Sequence, residues 1–139
     1  MNLENPVVKL CIAGTQAEFR GALDEARTLY QQAWESARDD YEACIAAHYV
    51  ARFQDDPEQK LHWNRIALER AEVVGDERVR EFYPSLYLNM GQSYELLGDQ
   101  DEARRYYDLA AAQGVRHEAS LLKPTNREDG KNAKVNINP

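Results

Sequence analysis

Cys44 and His48 are the two residues whose types and spacing could do chemistry. They stand four apart, so a helix would carry both on one face. An imidazole beside a thiol can take its proton and leave a thiolate nucleophile. The alternative reading is a small semi-buried cysteine beside a surface histidine, and the rest of the chain favours it. A metal would need further ligands, and His62 and His117 are remote in the chain. There is no glycine-rich phosphate loop and no paired-carboxylate motif; "AEVVGDERV" has one glycine and reads as a helix break. The sequence therefore calls for no catalytic residue, no metal and no cofactor.

The elements around these residues read as helices. Arg, Glu, Ala, Leu and Gln are frequent, and runs of Val, Ile and Thr are nearly absent. Break signals recur: Gly21, Asp39-Asp40, Asp56-Pro57, Gly75-Asp76 and Gly98-Asp99. Glu102, three residues after Asp99, would complete a capping box. These signals place helices over 6–19, 22–38, 40–53, 57–74, 77–97 and 99–113. Pro84 either kinks the fifth helix or starts it, with 77–82 as a separate turn. A short seventh helix over 115–123 is allowed by "VRHEASLL", and 124–139 reads as a flexible tail.

The helices repeat. Tyr87, Met90, Gly91, Tyr94, Gly98, Ala103, Tyr107 and Ala110 match Leu10, Ala13, Gly14, Ala17, Gly21, Ala26, Tyr30 and Ala33 at a shift of 77. Asp101-Glu102 repeats Asp24-Glu25. A shift of 44 gives a degenerate middle copy: Ala43, Ala46, Ala47, Val50, Gln54, Gln59, Trp63 and Ile66. The spacings are 33 and then 44, and the extra residues are expected to lengthen the helices on either side of Gly75-Asp76. Each copy is a helical hairpin that cannot bury its apolar face alone but can when stacked on its neighbours. Gly91 and Ala103 are small where the two helices of a hairpin approach. Tyr94 and Tyr107 are expected to fill the space between hairpins.

The order Tyr87-x2-Met90-Gly91-x2-Tyr94, then Ala103-x3-Tyr107-x2-Ala110, resembles the tetratricopeptide repeat (TPR) signature. The resemblance covers about residues 7–114. It implies an all-α, right-handed superhelix of three hairpins, about 6–38, 40–74 and 77–113, in a domain over 1–114. It also implies that the first helices line a concave groove that binds a peptide or protein segment. Between the packing positions lie Cys11, Thr15 and Glu18 in copy one, Tyr41, Cys44, His48 and Arg52 in copy two, and Ser85, Asn89, Gln92 and Glu95 in copy three. The partner-binding set expected from them is Thr15, Tyr41, Cys44, His48, Arg52, Asn89, Gln92 and Glu95. One subtype of the family grips a terminal carboxylate with lysine and asparagine. The matching pairs here are Cys11 with Thr15 and Cys44 with His48, so that subtype is excluded.

Charge narrows the partner. The formal net charge is -7, of which residues 115–139 carry +2 and the remainder -9. So acidic a body repels a phosphate backbone, which disfavours nucleic acid and admits a basic protein or peptide. The acidic runs Asp39-Asp40-Glu42 and Asp55-Asp56-Glu58 read first as helix caps and then as a dock for such a partner. Cys11 and Cys44 occupy equivalent places in adjacent hairpins, about 10 Å apart by helix-packing distances, too far for a disulfide. Sparse cysteine, the absence of a signal-like start and of a membrane-length apolar run lead to the expectation of a cytoplasmic protein with no membrane partner. Two alternatives to the groove reading stand: a homodimer that buries the last hairpin's open face, and a thiol enzyme using Cys44 and His48.

Overall fold

The structure is a computed structural model that describes residues 2–121, with side chains described as far as Gln113. The described residues form six α-helices and one 3-10 helix, without a strand. They are α1 (Pro6–Phe19), α2 (Leu23–Ser36), α3 (Asp40–Arg52), α4 (Pro57–Val74), the 3-10 helix (Glu77–Phe82), α5 (Tyr83–Leu96) and α6 (Gln100–Leu121). Helices packed as successive pairs make the closest contacts: α1 on α2, α3 on α4, α5 on α6. No helix among the described residues is long and apolar enough to cross a membrane.

Local chemistry sets the ends. Asn5 caps α1, its Oδ1 accepting from the amides of Val7 and Val8. Asp39 caps α3 through the amide of Glu42. Gly75 closes α4 at φ 61°, a left-handed conformation that costs glycine nothing. The expected capping box at Asp99 is only half made. Asp99 accepts from the amide of Glu102, but the Glu102 carboxylate turns to Arg105 at 2.9 Å. Asp56 precedes α4 without a side-chain cap bond, and Pro57 supplies the first-turn stiffness. Of the two readings of Pro84, the structure takes the second: α5 begins beside it and 77–82 is a separate 3-10 turn. No break occurs at Gly114, because α6 continues to Leu121, so residues 115–121 extend α6 and do not form a seventh helix. The remainder of the expected capping segment, 122–123, and the expected tail over 124–139 lie outside the described residues.

The glycine–tyrosine pairing of the first and third copies is literal packing. A Cβ on Gly91 would lie 2.7 Å from the Tyr107 ring, and one on Gly14 would run into the ring of Tyr30. Tyr107 therefore packs within its own hairpin, against α5, and not between hairpins as expected. Tyr94 does reach a neighbour, since its hydroxyl accepts from Arg65 of α4 at 2.9 Å.

The middle copy departs by one residue. Three residues separate α1 from α2 and α5 from α6, but four, Phe53 to Asp56, separate α3 from α4. One added residue rotates the following helix face by about 100°. The buried positions of α4 are accordingly Leu61, Asn64, Ala67, Leu68 and Ala71, while Gln59 is exposed and Trp63 and Ile66 are only partly covered. Trp63 turns back to meet Trp34 of α2 edge-on at 5.0 Å. The longer spacing to the third copy goes partly into α4, which has 18 residues against 14 in α2. The rest does not lengthen α5. It forms the 3-10 helix, anchored in the core by the fully buried Val79.

Candidate functional site

The expected site residues come from α1, α3 and α5, and the structure links several of them. Glu18 of α1 receives Nη2 of Arg52 of α3 at 2.9 and 3.1 Å, and also the hydroxyl of Tyr30 at 2.9 Å. Thr15 Oγ1 donates to the carbonyl of Cys11 and lies 3.2 Å from the Tyr30 hydroxyl. One turn before Arg52, the His48 ring lies edge-on to Tyr49 at 5.1 Å, and its Nδ1 is 3.4 Å from Nδ2 of Asn89 on α5. Gln92, three residues on, is half-buried on the same helix, and Ser85 is exposed. A continuous polar strip thus runs Thr15, Glu18, Arg52, His48, Asn89, Gln92 across the three helices.

Burial, with the Arg52 charge adding to it, pushes the His48 imidazole down to about 4. The ring is neutral at pH 7, and a neutral ring can accept from the Asn89 amide through Nδ1. Arg52 is committed to Glu18, so any carboxylate of a ligand must compete with an existing ion pair. Glu95 is exposed and accepts from the Tyr107 hydroxyl. This pair repeats Glu18 and Tyr30 at the shift of 77.

Three expected members do not sit on this strip as free groups. Cys44 is 1% exposed, packed with Ala47, Leu61 and Met90 in the core that joins α3, α4 and α5. Cys11 lies in a separate cluster with Val7, Val8 and Ile45. The sequence spacing put both beside the surface positions, but small apolar side chains at a helix–helix contact are drawn into it. Both thiols are free, and burial pushes each up to about 12. Tyr41 is partly covered: Phe82 of the 3-10 helix stacks on it at 6.2 Å, and the Arg78 guanidinium sits 5.0 Å above its ring.

Some residues that organise the site escaped the sequence reading. Glu42, read only as part of an acidic cap, is a buried carboxylate. It accepts from Asn5 Nδ2 at 2.8 Å and from the Arg38 amide and guanidinium at 2.9 and 3.1 Å. The Arg38 guanidinium holds its carboxyl down to about 2. Asn64 and Ser93 are buried between α4 and α5; Asn64 Nδ2 donates to Ser93 Oγ at 2.9 Å, and Ser93 donates on to the Asn89 carbonyl. That last bond secures the turn of α5 that presents Asn89. The signal for Asn64 was available as the single extra residue in the α3–α4 turn; for Glu42 nothing in the sequence distinguished it from its acidic neighbours.

Concavities lie elsewhere. One of about 330 Å³ is lined by Gly75, Asp76, Arg80, Tyr83 and Gln113. Another of about 640 Å³ is lined by Trp34, Glu35, Ala37, Arg38, Asp39, Asp40, Ala43 and Arg70. Neither is lined by Thr15, His48, Asn89 or Gln92. Among the described residues no cluster of His, Cys, Asp and Glu has metal-holding geometry.

No protein-family model matches the chain, and no curated protein or solved structure matches it at significant similarity. The resemblance to tetratricopeptide repeats therefore rests on the residues of this chain alone.

Proposed function

We propose that the protein is a non-catalytic, TPR-like interaction scaffold that binds a peptide or protein segment along α1, α3 and α5. The observation that carries the reading is the polar strip from Thr15 to Gln92. It spans three helices through the Glu18–Arg52 and His48–Asn89 contacts. A neutral His48, Asn89 and Gln92 supply donors and acceptors suited to an extended backbone. The net acidity of the body suits a basic segment. The thiol-enzyme reading loses support from Cys44, whose sulfur is buried and protonated at neutral pH.

A displayed peptide library selected on the full chain tests this. Enriched peptides should carry Lys or Arg, should shift the amide resonances of α1, α3 and α5, and should bind at least about tenfold more weakly to the Asn89→Ala, Gln92→Ala double variant. Shifts confined to α2, α4 and α6, or unchanged affinity in the double variant, refute the assignment.

A further inference from the structure

The two ends of the described stack are complementary, and the chain contains its own template for how they meet. At the junction of the first two hairpins, α3 packs on both α1 and α2. Ile45 and Ala46 enter the cluster with Val7, Val8, Cys11 and Ala33. At the end of α3 two adjacent residues finish the contact: Arg52 takes Glu18, and Phe53 meets the Tyr30 ring edge-on at 5.4 Å.

The third hairpin offers the same receiving surface without an occupant among the described residues. Glu95 and Tyr107 repeat Glu18 and Tyr30, down to the hydroxyl-to-carboxylate bond. Tyr30 is 1% exposed under α3, whereas Tyr107 is only partly covered and Glu95 is open. Leu88 stands at the position of Cys11 and Ala110 at that of Ala33, and both are half-buried where their counterparts are buried.

The first helix offers the docking side. At the shift of 33, Ile12 and Ala13 correspond to Ile45 and Ala46, and Phe19-Arg20 corresponds to Arg52-Phe53. The same two chemical groups, an aromatic ring and a guanidinium, close both helices in exchanged order. Ile12 is 39% exposed and Phe19, seven residues on and so on the same face of α1, is 88% exposed; Leu23 at the start of α2 is also exposed. Arg20 reaches only the exposed Glu25.

We propose that copies of this chain associate head to tail, α1 of one copy seating on the α5–α6 face of the next as α3 seats on α1 and α2. Phe19 then covers the open ring of Tyr107, Ile12 covers Leu88, and Arg20 pairs with Glu95. The contact is heterologous, so it grows linear oligomers and does not close a two-fold dimer. It takes Glu95 from the expected partner-binding set but none of Thr15, Glu18, Arg52, His48, Asn89 and Gln92, so it does not rest on that reading.

Analytical ultracentrifugation of the full chain over a wide concentration range tests it. The weight-average mass should rise with concentration above the 16.0 kDa of the monomer. Phe19→Asp and Leu88→Asp should each weaken association by about tenfold or more. Mixing the two should restore one-to-one pairs that grow no further, because each retains the face the other lacks. Circular dichroism and melting confirm that the variants fold. Should Leu88→Asp fail to fold, a charge exchange at exposed positions takes its place: Arg20→Glu and Glu95→Arg weaken association singly and restore it when combined in one chain. A mass fixed at 16.0 kDa at every concentration, association that survives Phe19→Asp, or a mixture that stays monomeric overturns the proposal. So does association that appears only after residues 122–139 are removed, which would make that segment the occupant. Peptide binding should be unchanged in Phe19→Asp.

Discussion

The two junctions between hairpins solve the same packing problem with different chemistry. At the first, Tyr30 of α2 stacks on Tyr49 of α3 at 5.1 Å. At the second, the corresponding places in α4 and α5 hold Asn64 and Ser93, joined by a buried hydrogen bond. The first junction has charge locks at both ends, Glu42 with Asn5 and Arg38, and Glu18 with Arg52. The second has neutral or single-charge contacts, His48–Asn89 and Arg65–Tyr94. In the first, α3 touches both helices of its neighbour; in the second, α5 lies chiefly on α4 while the 3-10 helix takes part of the space beside α3. Apolar stacking is tolerant of small displacements and contributes through area, whereas a buried amide–hydroxyl bond contributes little net energy but is costly to break. The first junction should therefore carry stability, and the second should fix the geometry of the polar strip.

Tyr30→Ala should be the sharpest test of that division. It empties a site filled by a fully buried ring and should cost about 3–5 kcal/mol in chemical denaturation. Tyr107→Ala, the same substitution at the uncovered end, should cost roughly half as much. Equal losses would mean that the contacts from α3 add nothing.

Acid separates the junctions by pH window. The folded pKa of His48, about 4, lies below its ordinary 6.5, so its contribution is complete above pH 6.5 and is lost as pH falls toward 4. Glu42 is held from 4.5 down to about 2, so its contribution persists until pH falls below 4.5 and is lost toward 2. Each is on the order of 3 kcal/mol at full effect. Stability measured against pH should show two descents. His48→Gln should flatten the upper one and Glu42→Gln the lower one; a single descent unaffected by His48→Gln breaks the comparison.

Asn64→Ala should cost about 1–2 kcal/mol and loosen Asn89, seen as faster amide exchange in α5. Asn64→Leu combined with Ser93→Ala removes both partners and should recover most of that loss, giving a measurable coupling in a double-mutant cycle. Strict additivity would deny the pair its role. The smallest effect belongs to Tyr94→Phe, which removes the hydroxyl that Arg65 reaches on an exposed edge and should change stability by less than about 0.5 kcal/mol.

Much of the fold was legible because its signals are local. Asp39, Gly75 and Asp99 announce helix ends through their own backbone and side-chain preferences. Gly91 announced a close approach of two helices, but the ring it makes room for, Tyr107, was expected between hairpins. The strip was legible in part: Thr15, His48, Arg52, Asn89 and Gln92 lie together, and Cys44 and Tyr41 do not join them as open groups. Cys44 was misplaced because position on a helix gives direction but not the depth of the neighbour that covers it. Tyr41 is partly covered by the 3-10 helix, and nothing in the sequence placed Phe82 and Arg78 over its ring.

By itself, then, the sequence determined the all-helical architecture, the ends of the first four helices to within about two residues and the internal likeness of the first and third copies, since each follows from preferences acting within a few residues. The tertiary structure alone decided which face α4 buries, that Glu42 is a lock and not a surface cap, and that Glu18 holds both Tyr30 and Arg52. Those outcomes hinge on one residue of turn length and on distances of a few ångströms between helices far apart in sequence. Hydrogen bonds and ion pairs change from stabilising to absent over such distances.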